Sequence, residues 1–317
     1  MVKRKRYLNN EFEVTEMLRR WAGLPRGSGI VEGIGDDCAI LRPRNRPEDL
    51  LFTTDLLVEG THFKRATHAS GDIGWKALAR GLSDIAAMGG QPRFCLLSLA
   101  LAPWCDASWV TGFFHGLLRL ADRTGTALAG GDLSHGAKLV CDVTVGGAVP
   151  RGQALRRDGA RAGDAVYVSG ALGFSALGMA AGRGAARRRH LRPEPRLALG
   201  RFLRETVRAT AAMDLSDGLS LDLARLCAAS GLGAEITAPP VWRRATLAQA
   251  LHGGEDYELL FTAPAGARVP AAFQRIPLTR IGVMTRRNRG HVTLDGQPLQ
   301  PRGYDHFRES HAGRGVL

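Results

Sequence analysis

Residues 72–101, DIGWKALARGLSDIAAMGGQPRFCLLSLAL, contain an amphipathic helix followed directly by an apolar strand. Apolar side chains recur at helical spacing over Asp72–Met88, and the pair Gly89-Gly90 ends that helix. Phe94–Leu101 is almost continuously apolar, which is typical of a buried strand. The stretch therefore predicts that helices and strands share one domain.

Elements of both kinds continue outward from this stretch. Upstream, helical spacing covers Glu11–Ala22, and strands are predicted over Cys38–Leu41 and Leu50–Thr54. Downstream, the pattern predicts helices over 108–122, 174–181, 196–209 and 219–229, and strands over 126–129, 138–149, 164–169, 211–215, 233–237, 257–262, 280–284 and 291–294. Because the two kinds do not alternate strictly, we predict α+β domains rather than a doubly wound parallel sheet.

A polar stretch punctuated by proline and glycine, Pro150–Gly163, divides the chain. We place the domain boundary there, which gives an N-terminal domain over 1–150 and a C-terminal domain over 151–317. A length of 317 residues suits two domains, each large enough to bury its own core.

The net charge of +13 raises the question of nucleic-acid binding. Arginine carries nearly all of the positive charge, and the clusters Arg187-Arg188-Arg189 and Arg286-Arg287 lack interleaved aromatic residues. A basic nucleotide- or nucleic-acid-binding module is therefore kept only as an alternative, and we expect no nucleic-acid partner. No apolar run approaches the roughly 20 residues of a membrane span, and no signal-peptide core follows the basic start. We expect a cytoplasmic protein without a membrane partner.

Several aspartates stand beside glycine or hydroxyl residues at the ends of predicted strands. They are Asp36, Asp37, Asp55, Asp132, Asp214 and Asp217, whereas Asp84 lies within a predicted helix. Aspartate and glycine are common turn formers, which remains the alternative for any one of these sites. Loops at strand ends can converge on one cleft, where clustered carboxylates need cations among them. Hard oxygen ligands select Mg²⁺, which commonly bridges phosphate oxygens.

Two of these motifs suit a nucleotide phosphate. In Gly130-Gly131-Asp132, the glycines let backbone N–H groups approach a phosphate while the carboxylate holds a metal. In the motif 214–218, Asp214 and Asp217 would hold metal and Ser216 would contact the nucleotide, but Ser216 or Asp217 could instead cap the following helix. The sequence has neither a P-loop lysine motif nor the protein-kinase motif set. Any ATP site therefore has a different architecture.

Eight short motifs follow one another along the chain. Each motif alone is weak evidence, but all eight in this order are highly specific. They are Gly33-Ile34-Gly35-Asp36-Asp37-Cys38-Ala39, Thr53-Thr54-Asp55, Glu59-Gly60-Thr61-His62-Phe63, Leu82-Ser83-Asp84-Ile85-Ala86-Ala87-Met88-Gly89, Gly130-Gly131-Asp132, Asp214-Leu215-Ser216-Asp217-Gly218-Leu219, Gly253-Gly254-Glu255-Asp256-Tyr257-Glu258-Leu259 and Gly303-Tyr304-Asp305-His306-Phe307. Together they resemble the motif series of the thiamine-monophosphate kinase family and span nearly the whole chain.

The resemblance implies a two-domain α+β fold of the aminoimidazole-ribotide-synthetase-like superfamily. In that fold the N-terminal domain dimerises through its sheet, so a homodimer is expected, and ATP lies in the cleft between the domains. The implied metal ligands, for several Mg²⁺ ions, are Asp37, Thr53, Thr54, Asp55, Asp84, Asp132, Asp214 and Asp217. The implied nucleotide contacts are Gly131, Asp132, Arg157 and Ser216, and the implied thiamine-phosphate contacts are His62, Glu255 and Tyr304. Asp132, Asp217 and Arg157 are expected to be catalytic.

The reaction that the resemblance implies is phosphorylation of thiamine monophosphate by ATP to give thiamine diphosphate. The acceptor is already an anionic phosphate oxygen, so catalysis needs positioning and charge neutralisation more than a strong base. Related ATP-dependent enzymes, similar to selenophosphate synthetase or to the hydrogenase maturation protein, are the alternatives. The first cysteine is Cys38 and the chain ends Gly315-Val316-Leu317, so the reactive N-terminal or C-terminal cysteine of those enzymes is missing.

Overall fold

The computed structural model describes residues 11–22, 24–25 and 27–304. The helices of the N-terminal half are α1 (Glu11–Trp21), α2 (Ser70–Ala87) and α3 (Ala107–Thr124). Its strands are β1 (Ile30–Glu32), β2 (Ala39–Leu41), β3 (Glu48–Val58), β4 (Gln91–Leu101), β5 (Ala127–His135) and β6 (Val140–Pro150).

The helices α2 and α3 pack closely because small residues line their contact. The Asp106 carboxylate caps the start of α3 by accepting from the Trp109 N–H over 2.7 Å. A Cβ atom on Gly116 would lie 1.8 Å from the carbonyl oxygen of Gly71, so only glycine permits this approach. The two helices bury apolar side chains such as Leu78 and Phe113.

The N-terminal sheet has six strands in the order β1-β2-β3-β6-β4-β5, and only the pairing of β4 with β5 is parallel. Side chains alternate between its faces, so Leu57, Val143 and Leu97 are buried in the core of this half. The opposite face exposes apolar side chains, with Leu56 51% and Leu96 39% exposed. We call this second face the open face of the N-terminal sheet.

The C-terminal half is built around a second sheet. Its helices are α4 (Phe174–Ala181), α5 (Ala185–Leu191), α6 (Leu197–Phe202), α7 (Leu219–Ser230) and α8 (Leu247–His252). Its strands are β7 (Ala165–Ser169), β8 (Ala211–Asp214), β9 (Gly233–Ile236), β10 (Leu259–Ala263), β11 (Ala272–Phe273), β12 (Ile276–Thr285), β13 (Val292–Leu294) and β14 (Gln297–Leu299). The sheet order is β14-β13-β9-β12-β7-β10-β8, with β11 beside β12.

Helix α2 joins the two halves. The Trp75 indole N–H donates to the carbonyl of Pro193 over 2.8 Å, and the Ser83 hydroxyl donates to Asp214 Oδ2 over 2.6 Å. Farther along, α2 packs against α6. These contacts place the second half of α2 along a cleft between the halves. No helix within the described ranges is long and apolar enough to cross a membrane.

The structure confirms a mixed α+β chain, but it corrects several predicted elements. Asp55 and Asp132 lie inside β3 and β5 rather than at strand ends, because both strands run well beyond their apolar segments. The helix predicted over 196–209 is α6 followed by a π-helical turn, Leu203–Val207, that ends at Arg208 with φ 57°. The helices α5 and α8 were not predicted, because they are too short to show clear periodicity in the sequence. For α8, the capping box of Thr246 and Gln249 was a usable signal.

Candidate active site

Two adjoining cavities, of about 440 and 670 Å³, occupy the cleft between the halves. Residues common to both linings are Glu11, Asp84, Asp214, Ser216 and Asp217. The smaller cavity extends toward Glu255 and is called here the acceptor cavity; the larger extends toward Arg157 and is called the nucleotide cavity. A row of aspartates therefore lies where the two spaces meet.

Three carboxylates converge at this meeting point. Asp37 precedes β2, Asp84 lies on α2 and Asp214 ends β8, and one oxygen of each lies within 4.8 Å of the others. Burial, followed by repulsion from Asp55 and Asp214, raises the pKa of Asp84 well above its usual value. Burial, followed by repulsion from Asp37, raises the pKa of Asp214 in the same way.

This carboxylate cluster fits a divalent cation. Asp37 Oδ2 is buried and has no hydrogen-bond partner among the residues that the structure describes. An unpartnered, buried carboxylate oxygen facing two further carboxylates is a costly arrangement without a cation. All three candidate metal ligands are carboxylate oxygens, which Mg²⁺ prefers.

Hydroxyl groups hold two of these carboxylates in place. The Thr53 hydroxyl donates to Asp84 Oδ2 over 2.5 Å, and Ser83 binds Asp214 as described above. Thr53 therefore lies in the cluster. Its neighbour Thr54 borders the nucleotide cavity, but its hydroxyl donates to Asp142 Oδ1 on the open face over 2.7 Å. Strand alternation thus points two adjacent residues, both expected among the ligands of several Mg²⁺ ions, to opposite faces of the sheet.

Arginines pair with the aspartates around the cluster. Arg157 Nη2 donates to Asp37 Oδ1 over 2.5 Å, and Arg80 Nη2 donates to Asp55 Oδ1 over 2.7 Å. Arg80 was not among the predicted site residues, although its position four residues before Asp84 on a predicted helix was a usable signal. These contacts partly neutralise a strongly acidic site.

A further arginine that was not predicted, Arg225, lies on α7. Its Nη1 donates to Asp217 Oδ2 and, over 3.2 Å, to Asp222 Oδ1. Asp222 Oδ2 accepts the N–H groups of Asp217 and Gly218, both over 3.0 Å, and burial raises the pKa of Asp222 to about 7. The helix-capping alternative for Ser216 and Asp217 is wrong, because the cap residue of α7 is Gly218 and no side chain caps it.

The predicted nucleotide residues fall into two groups. Arg157 and Ser216 line the nucleotide cavity. Gly131 and Asp132 lie instead on β5, at the edge of the N-terminal sheet, and the Asp132 side chain is exposed. A Cβ atom on Gly131 would lie 1.8 Å from the carbonyl oxygen of Leu97, so strand packing alone requires glycine there.

The three predicted substrate residues line the acceptor cavity. They are His62, Glu255 and Tyr304. His62 Nδ1 accepts the N–H of Val58 over 3.0 Å, and the Tyr304 N–H donates to the carbonyl of Asp217 over 3.2 Å. Glu255 is held by Lys76, which the sequence analysis did not single out. The rest of the last motif, Asp305–Phe307, lies outside the described residues.

Comparison with known families gives two matches that together span most of the chain. Residues 35–149 match AIR synthase related protein, N-terminal domain, and residues 161–295 match AIR synthase related protein, C-terminal domain. Thiamine-monophosphate kinase of Salmonella typhimurium is 40% identical over 308 residues, covering 88% of this chain and 92% of that protein. The Bacillus subtilis enzyme of the same name is 34% identical, with 89% and 95% covered.

Solved structures agree with these matches. A structure of "AaThiL complexed with AMPPCP and TMP" superposes with a TM-score of 0.83 at 32% identity, covering 94% of this chain and 97% of the other. Thiamine-monophosphate kinase from Stenotrophomonas maltophilia K279a gives 0.71 at 39% identity, covering 90% and 97%. The hydrogenase maturation protein HypE in complex with ATP shares the fold, with a TM-score of 0.67 at 21% identity over 90% and 91%.

Proposed function

Because this chain belongs to the thiamine-monophosphate kinase family, we propose that its cleft transfers the γ-phosphoryl group of ATP directly to thiamine monophosphate. The observation that carries the proposal is the carboxylate cluster of Asp37, Asp84 and Asp214 at the meeting point of two cavities. One cavity would hold each substrate, and the transferring group would pass beside the cluster.

The reaction joins two polyanions, so its main requirement is charge neutralisation and alignment. Asp37, Asp84 and Asp214, with Asp55, Asp217 and Thr53 beside them, are the residues that would hold Mg²⁺. When bound, Mg²⁺ neutralises charge on the phosphate oxygens. Arg157 supplies a guanidinium group on the nucleotide side, and Ser216 a hydroxyl group. The acceptor phosphate is already anionic, so no side chain has to remove a proton from it.

The acceptor cavity is assigned to thiamine monophosphate. His62, Glu255 and Tyr304 line it, together with Asp84 and Asp214 of the carboxylate cluster. A phosphate at the cluster would place the organic part of the acceptor against these three side chains. The aromatic ring of Tyr304 would stack on the cationic ring of the acceptor.

We further propose a homodimer formed through the open face of the N-terminal sheet. On that face Leu56, Asp142, Ser98 and Asp132 stand opposite one another across β3, β6, β4 and β5. Exposed leucines on a sheet face suit contact with a second copy. Asp132, outside both cavities of its own chain, would then serve the cleft of the partner. A phosphotransferase that consumes ATP fits the cytoplasm, which remains the proposed location.

The direct test is incubation of the purified protein with ATP, Mg²⁺ and thiamine monophosphate, followed by chromatography. We expect ADP and thiamine diphosphate in equal amounts. Excess EDTA should stop turnover. Free thiamine should be a poor acceptor, because its alcohol must lose a proton and its missing phosphate leaves the cluster unfilled. Formation of ADP without thiamine diphosphate, or equal rates with thiamine, would contradict the proposed function.

A further inference from the structure

Lys76 is a buried lysine that lies behind the acceptor cavity. Its side chain is 1% exposed, and its ammonium nitrogen lies 2.7 Å from Glu255 Oε1 and 2.8 Å from Glu255 Oε2. Lys76 comes from α2 of the N-terminal half, whereas Glu255 comes from the loop before β10 of the C-terminal half. Both oxygens of a carboxylate that faces the cavity are therefore bound by one buried cation.

The backbone holds Glu255 in this position. Its φ angle is 64°, a left-handed conformation that a non-glycine residue adopts only when its surroundings require it. The Glu255 N–H donates to the carbonyl of Ser216 over 2.7 Å. Glu255 therefore presents a fixed carboxylate, and Lys76 is the group that fixes its side chain.

Arg80, whose charge acts on both Lys76 and Glu255, is itself paired with Asp55 over 2.7 Å, and the other ionisable groups near the pair add no negative charge. His190 Nδ1 lies 3.5 Å from Glu255 Oε2, but burial lowers the pKa of His190 to about 3, so it is neutral at pH 7. Burial likewise lowers the pKa of His68 to about 4. Arg187, which donates to the carbonyl of Thr67, contributes only positive charge. This wall of the cavity thus carries no net negative charge.

We propose that Lys76 is a positioning and specificity-determining residue that cancels the charge of Glu255, so that this wall recognises the acceptor by hydrogen bonding and does not pair with its ring cation. The inference rests on the proposed function, since it assumes that thiamine monophosphate occupies the acceptor cavity. A carboxylate paired to a buried ammonium still accepts hydrogen bonds, but its attraction for a second cation is largely offset. Recognition of the thiazolium charge is then left to aromatic groups such as Tyr304.

The test compares two acceptors that differ in one charge. They are thiamine monophosphate and its analogue in which an uncharged thiophene ring replaces the thiazolium ring. The measured quantity is the ratio of kcat/KM for the cationic acceptor to that for the neutral one, at saturating ATP. A general folding defect lowers both values and leaves their ratio unchanged.

The proposal fixes the direction of the ratio in each variant. Lys76→Met removes the cation bound to both oxygens of Glu255 and should raise the ratio about tenfold or more, whereas Glu255→Gln removes the carboxylate bound to Lys76 and should lower the ratio by a similar factor. The double variant Lys76→Met/Glu255→Gln restores neutrality, so its ratio should return to within about threefold of wild type. Lys76→Arg keeps the charge and should keep the ratio. Arg93→Met, which breaks the exposed pair with Glu48, is the control for loss of a surface cation.

The outcomes separate this inference from the proposed function. If the wild-type protein forms no thiamine diphosphate, the proposed function fails and the inference fails with it. If product forms but Lys76→Met leaves the ratio unchanged, the function stands and the inference is wrong. Should Lys76→Met not fold, Glu255→Gln and the double variant decide the question. The inference then requires the ratio of kcat/KM values to fall in Glu255→Gln and to return toward the wild-type ratio in the double variant.

Discussion

The Ser83 hydroxyl, on α2, donates a hydrogen bond to Asp214 Oδ2, at the end of β8, over 2.6 Å, and both side chains are buried. The bond crosses from one half of the chain to the other beside the carboxylate cluster. Since Asp84 follows Ser83 directly on α2, the same short segment supplies one carboxylate and orients a second. The relative position of the two halves therefore determines the geometry of the cluster.

Ser83→Ala should weaken both the fold and the cluster. A buried carboxylate that loses a hydrogen-bond donor is destabilised, so the free energy of unfolding should fall by about 1–3 kcal/mol. The affinity for Mg²⁺ should fall as well, because Asp214 is no longer held toward Asp84. Urea unfolding and titration calorimetry with MgCl₂ measure the two effects. Ser108→Ala, which removes an exposed hydroxyl bonded to Asp106, is the matched control and should change neither value appreciably. Unchanged Mg²⁺ affinity in Ser83→Ala would contradict the role of this bond.

Asp84→Asn should stabilise the metal-free protein and inactivate the enzyme. The raised pKa of Asp84 means that the folded state holds its proton more tightly than the unfolded state, whose pKa is near 3.8. Its contribution to stability therefore decreases as the pH rises above about 4, by about 1.4 kcal/mol per pH unit until the folded-state pKa is reached. The asparagine variant lacks this loss, so its melting temperature should exceed that of wild type at pH 8 and converge with it near pH 4.

Turnover of Asp84→Asn should fall by about a hundredfold or more, because a ligand of the cluster is lost. Melting curves in EDTA across this pH range, beside the turnover assay, measure both effects. A variant that is less stable than wild type at pH 8 without metal would show that Asp84 is not under electrostatic repulsion.

The sequence supports much of the site because its residues belong to local patterns. Helical periodicity places Asp84 on α2, and the apolar run before Asp214 places that residue at the end of β8. Convergence of such residues is a tertiary property: their positions at strand ends allowed it, and the resemblance to a family implied it. The mixed α+β architecture also follows from local periodicity, since each element is long enough or sufficiently apolar to be recognised.

The sequence could not show two kinds of contact: those that depend on which face of a strand a residue occupies, and those that depend on how far a long side chain extends. Thr54 and Asp132 follow motifs that resemble metal ligands, yet strand alternation and the edge position of β5 place their side chains away from the cluster. Lys76 meets Glu255, and Arg225 meets Asp217, only through folding. The one local signal was the i,i+3 spacing of Asp222 and Arg225 on a predicted helix.

Arg225→Gln should reveal that this guanidinium competes with a cation for Asp217. In the metal-free protein Arg225 binds both Asp217 and the buried Asp222, so its removal leaves two carboxylates facing each other. We expect a loss of about 1–3 kcal/mol in the free energy of unfolding without metal. The affinity for Mg²⁺ in the absence of nucleotide should rise about three- to tenfold, since the internal competitor is gone. Calorimetry with MgCl₂ tests this directly. Arg93→Gln is the surface control, and a decrease in Mg²⁺ affinity for Arg225→Gln would refute the competition.

Asp132 lies on the open face and lines neither cavity of its own chain. If Asp132 serves the cleft of a partner copy, each active site combines Asp84 of one chain with Asp132 of the other. Asp132→Asn and Asp84→Asn homodimers should then both be inactive. A mixed dimer of the two variants places both substitutions in one site and leaves the other site intact.

Mixing the two variants in equal amounts, with random exchange of subunits, makes half of the dimers mixed, each with one working site. The mixture should recover about a quarter of the wild-type specific activity. Brief dilution below the dissociation constant of the dimer drives the exchange of subunits. Mass spectrometry of differently tagged chains verifies it. Two mixtures are the controls: each variant mixed with a differently tagged copy of itself should stay inactive. If the verified mixed dimer shows no activity, Asp132 and Asp84 do not act in the same site across the two chains. If Asp132→Asn alone keeps near wild-type turnover, Asp132 has no part in the reaction. The close packing of β5 against β4 at Gly131 would then be enough to explain the Gly130-Gly131-Asp132 motif.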